Sequence, residues 1–310
     1  MSSTNRKIHW GILGLGNIAR EFIAALLTVE DAMLYAVASR SPLKADEFKA
    51  EYDAEIAYSN YEDLAKDPNV DAVYIATPHV CHNKNTLLCL EYGKAVLCEK
   101  PLAMNSDEAE AMMAMARLKN VLLMEALWTR FLPHYEYVME LLARRAFGKV
   151  LKVEADFGSN PEFDPESRLF NKALGGGSLL DIGIYPVFAA LSALGTPDAI
   201  TARAEYFNTG VDASCTMDFV YNSGATAHLK STMTQKTPTI ATFFCEKATI
   251  RINETFFSPS TVSLITDEGE KTLDFDTTTI GYSYEITHFN QLLHEGKTES
   301  PVMSFDFSRD

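Results

Sequence analysis

Gly14-Leu15-Gly16-Asn17-Ile18-Ala19 follows an apolar lead from Ile8 to Leu13 and opens directly into an apolar helical pattern. Two glycines one residue apart, with a small residue three positions later, read as a strand, a tight turn and a helix start. Gly14 allows the turn, Gly16 lets a pyrophosphate approach the backbone, and Ala19 lets the helix pack on the strand. The free N–H groups of the first helical turn would hold phosphate oxygens. This is the chemistry of dinucleotide binding. In such sites an acidic residue about 20 positions further on takes the ribose hydroxyls. Here the next strand, 32–39, ends Ala38-Ser39-Arg40-Ser41 and carries no acid. Ser39 can hydrogen-bond a 2′-phosphate and Arg40 can pair with it, with Lys44 in reach, because a guanidinium matches phosphate in charge and fork geometry. The expected cofactor is NADP, with NAD left open.

Two further stretches put chemistry at strand ends. An apolar run over 71–77 closes in Thr77-Pro78-His79, and another over 95–98 closes in Glu99-Lys100-Pro101. His79 and His82 lie three apart, but no third Cys, Glu or His completes a zinc pattern, so they are expected to line the crevice or cap the helix after it. No metal is expected. The five cysteines form no C-x-x-C pair and read as reduced thiols in or near the core.

The elements that position these residues alternate. After the first helix come a strand at 32–39, a helix at 42–52 and a helical turn at 61–64. A strand at 71–77, a helix at 82–92 and a strand at 95–98 follow. A helix capped by Ser106 and a strand at 121–125 close this half. Near-continuous apolar strands alternating with helices imply a parallel, doubly wound sheet buried on both faces, whose ligands bind outside the carboxyl ends of the strands. From Trp128 the plan changes to a helix at 133–145, a strand at 151–157 and a long loop over 158–177 holding Arg168. A helix at 178–193 leads into strand-like segments at 200–207, 213–220, 224–232, 239–244, 247–253, 261–266 and 271–275, and a last helix covers 284–294. Several of these strands alternate apolar and polar residues, as in an antiparallel sheet with one open face. The fold class is therefore α/β: a Rossmann domain over 1–126, then an α+β domain with a large open-faced, mainly antiparallel sheet over 127–310. The 310 residues suffice for two domains. A net charge of −15 argues against a nucleic-acid partner. No run approaches the roughly 18 apolar residues of a membrane span. The polar start, Met1 to Lys7, has no apolar signal core, which points to a cytoplasmic protein.

These motifs, in this order, resemble the glucose–fructose oxidoreductase / inositol dehydrogenase / rhizopine-catabolism (Gfo/Idh/MocA) family. The marks are Gly14 to Ala19, Ala76-Thr77-Pro78 with His82, Glu99-Lys100-Pro101, and Gly175-Gly176-Gly177-Ser178-Leu179-Leu180-Asp181-Ile182-Gly183-Ile184-Tyr185-Pro186. Glu125-Ala126-Leu127-Trp128-Thr129-Arg130-Phe131 and Tyr185 resemble one branch, the dimeric dihydrodiol dehydrogenases and NADP-dependent D-xylose dehydrogenases. The resemblance implies hydride transfer at a CH–OH or carbonyl centre of a sugar, trans-dihydrodiol or related small polyol. It also implies association, as a homodimer or higher oligomer, through the exposed sheet. A tyrosine can move the substrate proton if an ammonium beside it lowers its titration from the usual value near 10. Lys100 and Tyr185 are thus the expected acid/base pair, with Asp181, four residues before Tyr185 on the same helix face, orienting Lys100 or a substrate hydroxyl. Trp128 and Phe157 match aromatic positions near the substrate, and Arg168 is a further substrate candidate. After Pro301-Val302-Met303-Ser304 the resemblance implies a final helix, of which this chain holds only the start. The competing readings are an NADP-binding regulatory or scaffold protein without turnover and a double-bond reductase like biliverdin reductase.

Overall fold

The computed structural model describes residues 6–277 and 279–310; most of the polar N-terminal stretch lies outside them. The chain divides into two compact units, the first running to Trp128 and including Thr279–Arg309, the second spanning Thr129–Thr278 with Asp310.

In the first unit six parallel strands, β1 (Ile8–Leu13), β2 (Ala32–Ala38), β3 (Ile56–Tyr58), β4 (Ala72–Ile75), β5 (Ala95–Glu99) and β6 (Leu123–Ala126), order as β3-β2-β1-β4-β5-β6. Helices α1 (Asn17–Leu26), α2 (Pro42–Tyr52), α3 (Tyr61–Lys66), α4 (His82–Glu91) and α5 (Ser106–Lys119) connect them. Every residue of β4, β5 and β6 is buried, as a parallel sheet covered on both faces requires. The strand β3 went unread in the sequence because three residues carry no period. The cap of α5 is Asn105, not Ser106: the Asn105 side chain accepts the Glu108 amide at 3.0 Å, and Ser106 is already the first helical residue. Either residue can cap, and the extended backbone of Asn105 decides.

In the second unit α6 (Pro133–Ala143) precedes β7 (Val150–Gly158), and α7 (Ile184–Leu194) follows the long loop. The remaining strands are β8 (Ala199–Tyr206), β9 (Asp212–Val220), β10 (Thr226–Thr232), β11 (Ala241–Cys245), β12 (Thr249–Ile252), β13 (Val262–Thr266) and β14 (Gly269–Leu273). They form one eight-stranded sheet, β14-β13-β12-β11-β7-β10-β9-β8, antiparallel except where β7 meets β10. Along β9 buried residues alternate with more exposed ones, so one face is covered and the other open. The helix expected over 178–193 begins as a π-helical turn, Leu179–Gly183, before α7. The stretch Lys172–Leu194 is, by length and mean hydropathy (1.5), apolar enough to cross a membrane, contrary to the sequence reading; 56% of that window is buried in the protein.

The last elements are α8 (Tyr282–His294) and α9 (Phe305–Arg309). The sequence reading put this segment with the second domain, but it clusters with the first unit. The reason is local: Trp10 of β1 donates its indole N–H to Asn290 at 3.1 Å and packs on Phe289 at 5.1 Å, while Asn290 donates to Asp31.

Candidate active site

The expected residues fall into two clusters, one in each unit. In the first unit the register makes the cluster. Leu13 pairs with Ala38 on one side and Ile75 on the other, Ile75 pairs with Cys98, and Cys98 pairs with Glu125. The residues that follow, Gly14, Ser39, Thr77 and Glu99-Lys100, therefore emerge along one carboxyl edge of the sheet. Gly14 has φ +94°, and a Cβ there would stand 2.8 Å from the Ala76 carbonyl oxygen. Only glycine fits that turn. Gly16 is the opposite case: a Cβ would meet nothing within 4 Å, and no side chain caps α1 at this residue. Space is thus open beside Gly16 where the first N–H groups of α1 lack a side-chain cap, with Leu15 buried before them and Asn17 and Ile18 in the first turn. Ala19 is fully buried, which seats α1 on the sheet. This arrangement fits a dinucleotide pyrophosphate.

At the end of β2 the Ser39 hydroxyl accepts the Ser41 amide at 3.1 Å, and Ser41 caps α2 by accepting the Lys44 amide at 3.4 Å. That turn presents Arg40 to solvent, with Lys44 exposed on the first turn of α2. Tyr61 stands close enough to Arg40 to feel its charge: burial pushes the Tyr61 phenol up, and the Arg40 charge partly opposes it. Tyr61 belongs beside the expected 2′-phosphate residues, and its place after an apparently irregular stretch hid it.

At the neighbouring ends His82 ties two loops. Its Nδ1 lies 2.8 Å from the Pro101 carbonyl and its Nε2 2.9 Å from the Thr77 carbonyl, with the ring fully buried. Asn85, also unread in the sequence, donates to the Thr77 hydroxyl at 3.1 Å. Pro78 leads into the short turn that holds His79, whose ring meets that of His82 edge-on at 5.7 Å. Among the described residues no three His, Cys, Asp or Glu side chains gather as a metal site would require. Glu99 accepts the hydroxyl of Tyr74, a buried tyrosine stacked on Phe22 at 3.6 Å. Burial, then the Glu99 charge, holds the Tyr74 phenol well above its usual range. Trp128, 7% exposed, stacks on Tyr282 at 4.3 Å.

In the second unit Asp212 of β9 organises the π-helical turn. Its Oδ2 accepts the Ser178 hydroxyl at 2.6 Å and the Leu179 amide at 2.7 Å, and Ser178 reaches Ser231 at 3.0 Å. Gly177, at φ +121°, leaves the space Asp212 needs: a Cβ would lie 2.1 Å from Asp212 Oδ1. Asp181, on that turn, accepts a hydrogen bond from Arg168 at 2.8 Å, which joins the long loop to the turn. Tyr185, 5% exposed, sits between Phe157 at 5.6 Å and Phe257 at 5.1 Å, and those two rings stack at 4.5 Å. Phe257 and Asp212 lie far from Tyr185 in sequence, and nothing in the sequence pattern marked them.

A parallel sheet with a glycine turn at its carboxyl edge, followed by a large sheet domain, defines a dinucleotide-binding oxidoreductase architecture. The family model for the oxidoreductase family with NAD-binding Rossmann fold, GFO/IDH/MocA, matches residues 8–127, and the GFO/IDH/MocA C-terminal domain matches 135–251. The chain is 39% identical to the trans-1,2-dihydrobenzene-1,2-diol dehydrogenase of Xenopus tropicalis over 95% of this chain and 92% of that one. It is 35% identical to the enzyme of the same name from Homo sapiens, over 96% of this chain and 91% of that one. The protein belongs to the GFO/IDH/MocA oxidoreductase family. A 3-ketoreductase from Actinomadura kijaniata in complex with NADP and TDP-benzene superposes with a TM-score of 0.89 at 27% identity, covering 98% of this chain and 94% of that one. The aldose–aldose oxidoreductase from Caulobacter crescentus complexed with glycerol gives a TM-score of 0.90 at 27% identity, with the same coverage.

Proposed function

We propose that this protein is an NADP-dependent dehydrogenase acting on a CH–OH centre of a trans-dihydrodiol, sugar or related small polyol. One observation carries the reading: four adjacent strand ends, in register, present a glycine turn open to a pyrophosphate, an exposed arginine, and Lys100. Gly14 to Ala19 would hold the pyrophosphate, and Ser39, Arg40 and Lys44, with Tyr61 behind Arg40, the 2′-phosphate. Thr77, Pro78, His79 and Glu99 would line the crevice that receives the nicotinamide, while His82, fully buried between the Thr77 and Pro101 carbonyls, would hold the loops that form it rather than line it. The bound dinucleotide supplies the hydride acceptor. In oxidation Tyr185 would take the proton from the hydroxyl oxygen of the carbon that gives up the hydride, and the Lys100 ammonium would stabilise the alkoxide as its charge develops. In reduction Tyr185 returns the proton. Asp181, held by Arg168, would orient the substrate hydroxyl beside Tyr185, Phe157 and Phe257 give Tyr185 an apolar wall, and Trp128 is a further substrate candidate. The relatives named for dihydrodiol and sugar chemistry support the substrate class. We also propose a homodimer through the open sheet; β8 is exposed along its whole length, as an uncovered edge strand would be.

The test is a panel of trans-dihydrodiols, aldoses and polyols run in parallel with NADP and NAD, following nicotinamide absorbance. Turnover with NADP on a diol or aldose is expected. Tight NADPH binding with no turnover across the panel would instead favour a regulatory role.

A further inference from the structure

Glu125, at the end of β6, is a buried acid that the mechanism above leaves unused. The β5–β6 register sets Cys98 opposite Glu125 and Glu99 opposite Ala126, so the Glu125 carboxyl stands beside the strand end that carries Lys100. Glu125 is 6% exposed. Oε1 accepts the Leu102 amide at 2.9 Å, and Oε2 accepts the Ser308 hydroxyl of α9 at 2.7 Å. Leu102 lies two residues beyond Lys100, so the first bond pins the loop on which the lysine rides. Two neutral donors leave a buried carboxylate only partly compensated, and the usual complement is a cation. Burial raises the Glu125 carboxyl, and the charge of Lys100 opposes that rise.

We propose that Glu125 is a positioning residue for Lys100: it pins the loop 100–102 and serves as the buried counter-charge that keeps the lysine an ammonium. The proposal rests on the catalytic reading of Lys100. Other groups face the same place from the packed elements. Cys98 of β5 feels the Glu125 charge and, as a buried thiol, stays neutral. Glu99 of β5 takes the Tyr74 hydroxyl, and His82 of α4 sets Nδ1 on the Pro101 carbonyl. Ser308 of α9 is neutral. Glu125 is bonded to the Lys100 loop itself, through the Leu102 amide.

A purely structural staple and a counter-charge give different results in Glu125→Gln. The amide oxygen still accepts from Leu102 and the amide N–H₂ donates to Ser308, so both hydrogen bonds survive and only the charge goes. The measurement is a pH titration of the Lys100 ¹³Cε resonance in lysine-labelled protein without cofactor, assigned with K100R, alongside the pH profile of kcat/KM with NADP. In E125Q the Lys100 midpoint is expected to fall by roughly half a unit to one unit, the shift of a lysine losing a nearby carboxylate, and the Lys100 limb of kcat/KM to move with it. Ser308→Ala, which leaves residue 125 unchanged but removes one donor, should move the midpoint the same way by less, and serves if E125Q does not fold. An unmoved Lys100 midpoint overturns the assignment of Glu125. A moved midpoint with an unmoved kinetic limb overturns the role of Lys100, and the proposal's catalytic content with it.

Discussion

Replacing Gly16 by alanine separates binding from folding at the glycine turn. Gly16 has φ −95°, which alanine adopts freely, and its new Cβ would meet no protein atom within 4 Å. Alanine is a poorer N-cap than glycine, a loss of up to about 1 kcal/mol. It also restricts the unfolded chain, a gain of about 0.4–1 kcal/mol. The two offset, so the stability of G16A should stay within about 1 kcal/mol of wild type. The methyl would nevertheless stand where a pyrophosphate must approach, and NADPH affinity should fall at least about tenfold, or 1.4 kcal/mol. Gly14→Ala should behave in the reverse way. Its φ of +94° costs alanine roughly 1–2 kcal/mol. The 2.8 Å approach to the Ala76 carbonyl and to Thr77 Cγ2 adds an overpacking cost of roughly 1–3 kcal/mol. G14A should therefore lose about 2–5 kcal/mol of stability. The assay is urea unfolding of the cofactor-free proteins together with NADPH titration by fluorescence. A G16A protein that binds NADPH like wild type would refute the placement of the pyrophosphate.

Arg40→Ala should weaken NADP by about 10- to 100-fold, the value of a charge-assisted bond to phosphate, and leave NAD unchanged; calorimetry with both dinucleotides checks this. Tyr185→Phe should lower kcat at least about 100-fold while the NADPH Kd changes less than about threefold, as steady-state kinetics and fluorescence titration would show. Asp212→Ala removes the acceptor for the Ser178 hydroxyl and the Leu179 amide, and should cost about 1–2 kcal/mol in urea unfolding, together with a drop in kcat. Glu285 is fully buried, and among the described residues neither of its carboxyl oxygens has a hydrogen-bond partner; burial, then the charge of Glu99, raises its titration well above the carboxyl range. The folded state therefore binds the Glu285 proton more tightly than the unfolded chain does. The stability this contributes is present below the unfolded carboxyl range and is lost as pH rises through the folded titration. The stability difference between Glu285→Gln and wild type should accordingly grow in favour of Gln from pH 5 to pH 8, and a difference that does not vary with pH would refute it.

Much of the fold was legible because buried parallel strands read as apolar runs and helices bring their own start and stop signals. The strand-end residues were legible for the same reason, since an apolar run ending in Thr77-Pro78 or Glu99-Lys100 marks the edge where ligands bind. Short elements were not legible: β3 has three residues, and the π-helical turn at Leu179–Gly183 shares its composition with an α-helix. Partners brought in from a distance were not legible either. Tyr61 beside Arg40, Asn85 on Thr77, Tyr282 on Trp128, Phe257 beside Tyr185 and Asp212 under Ser178 are joined by tertiary packing alone. Asp181 shows the same limit. Its spacing from Tyr185 was visible, but its hydrogen bond to Arg168 depends on the path of a loop without periodicity.

The central claim, hydride transfer from a CH–OH carbon to NADP, is tested most directly with isotope. A substrate from the active part of the panel, deuterated at its carbinol carbon, is turned over with NADP, and the nicotinamide product is read by NMR. Deuterium at C4 of the nicotinamide, with a slower rate than for the protiated substrate, is the expected result. Product formed without deuterium on the nicotinamide would contradict the account.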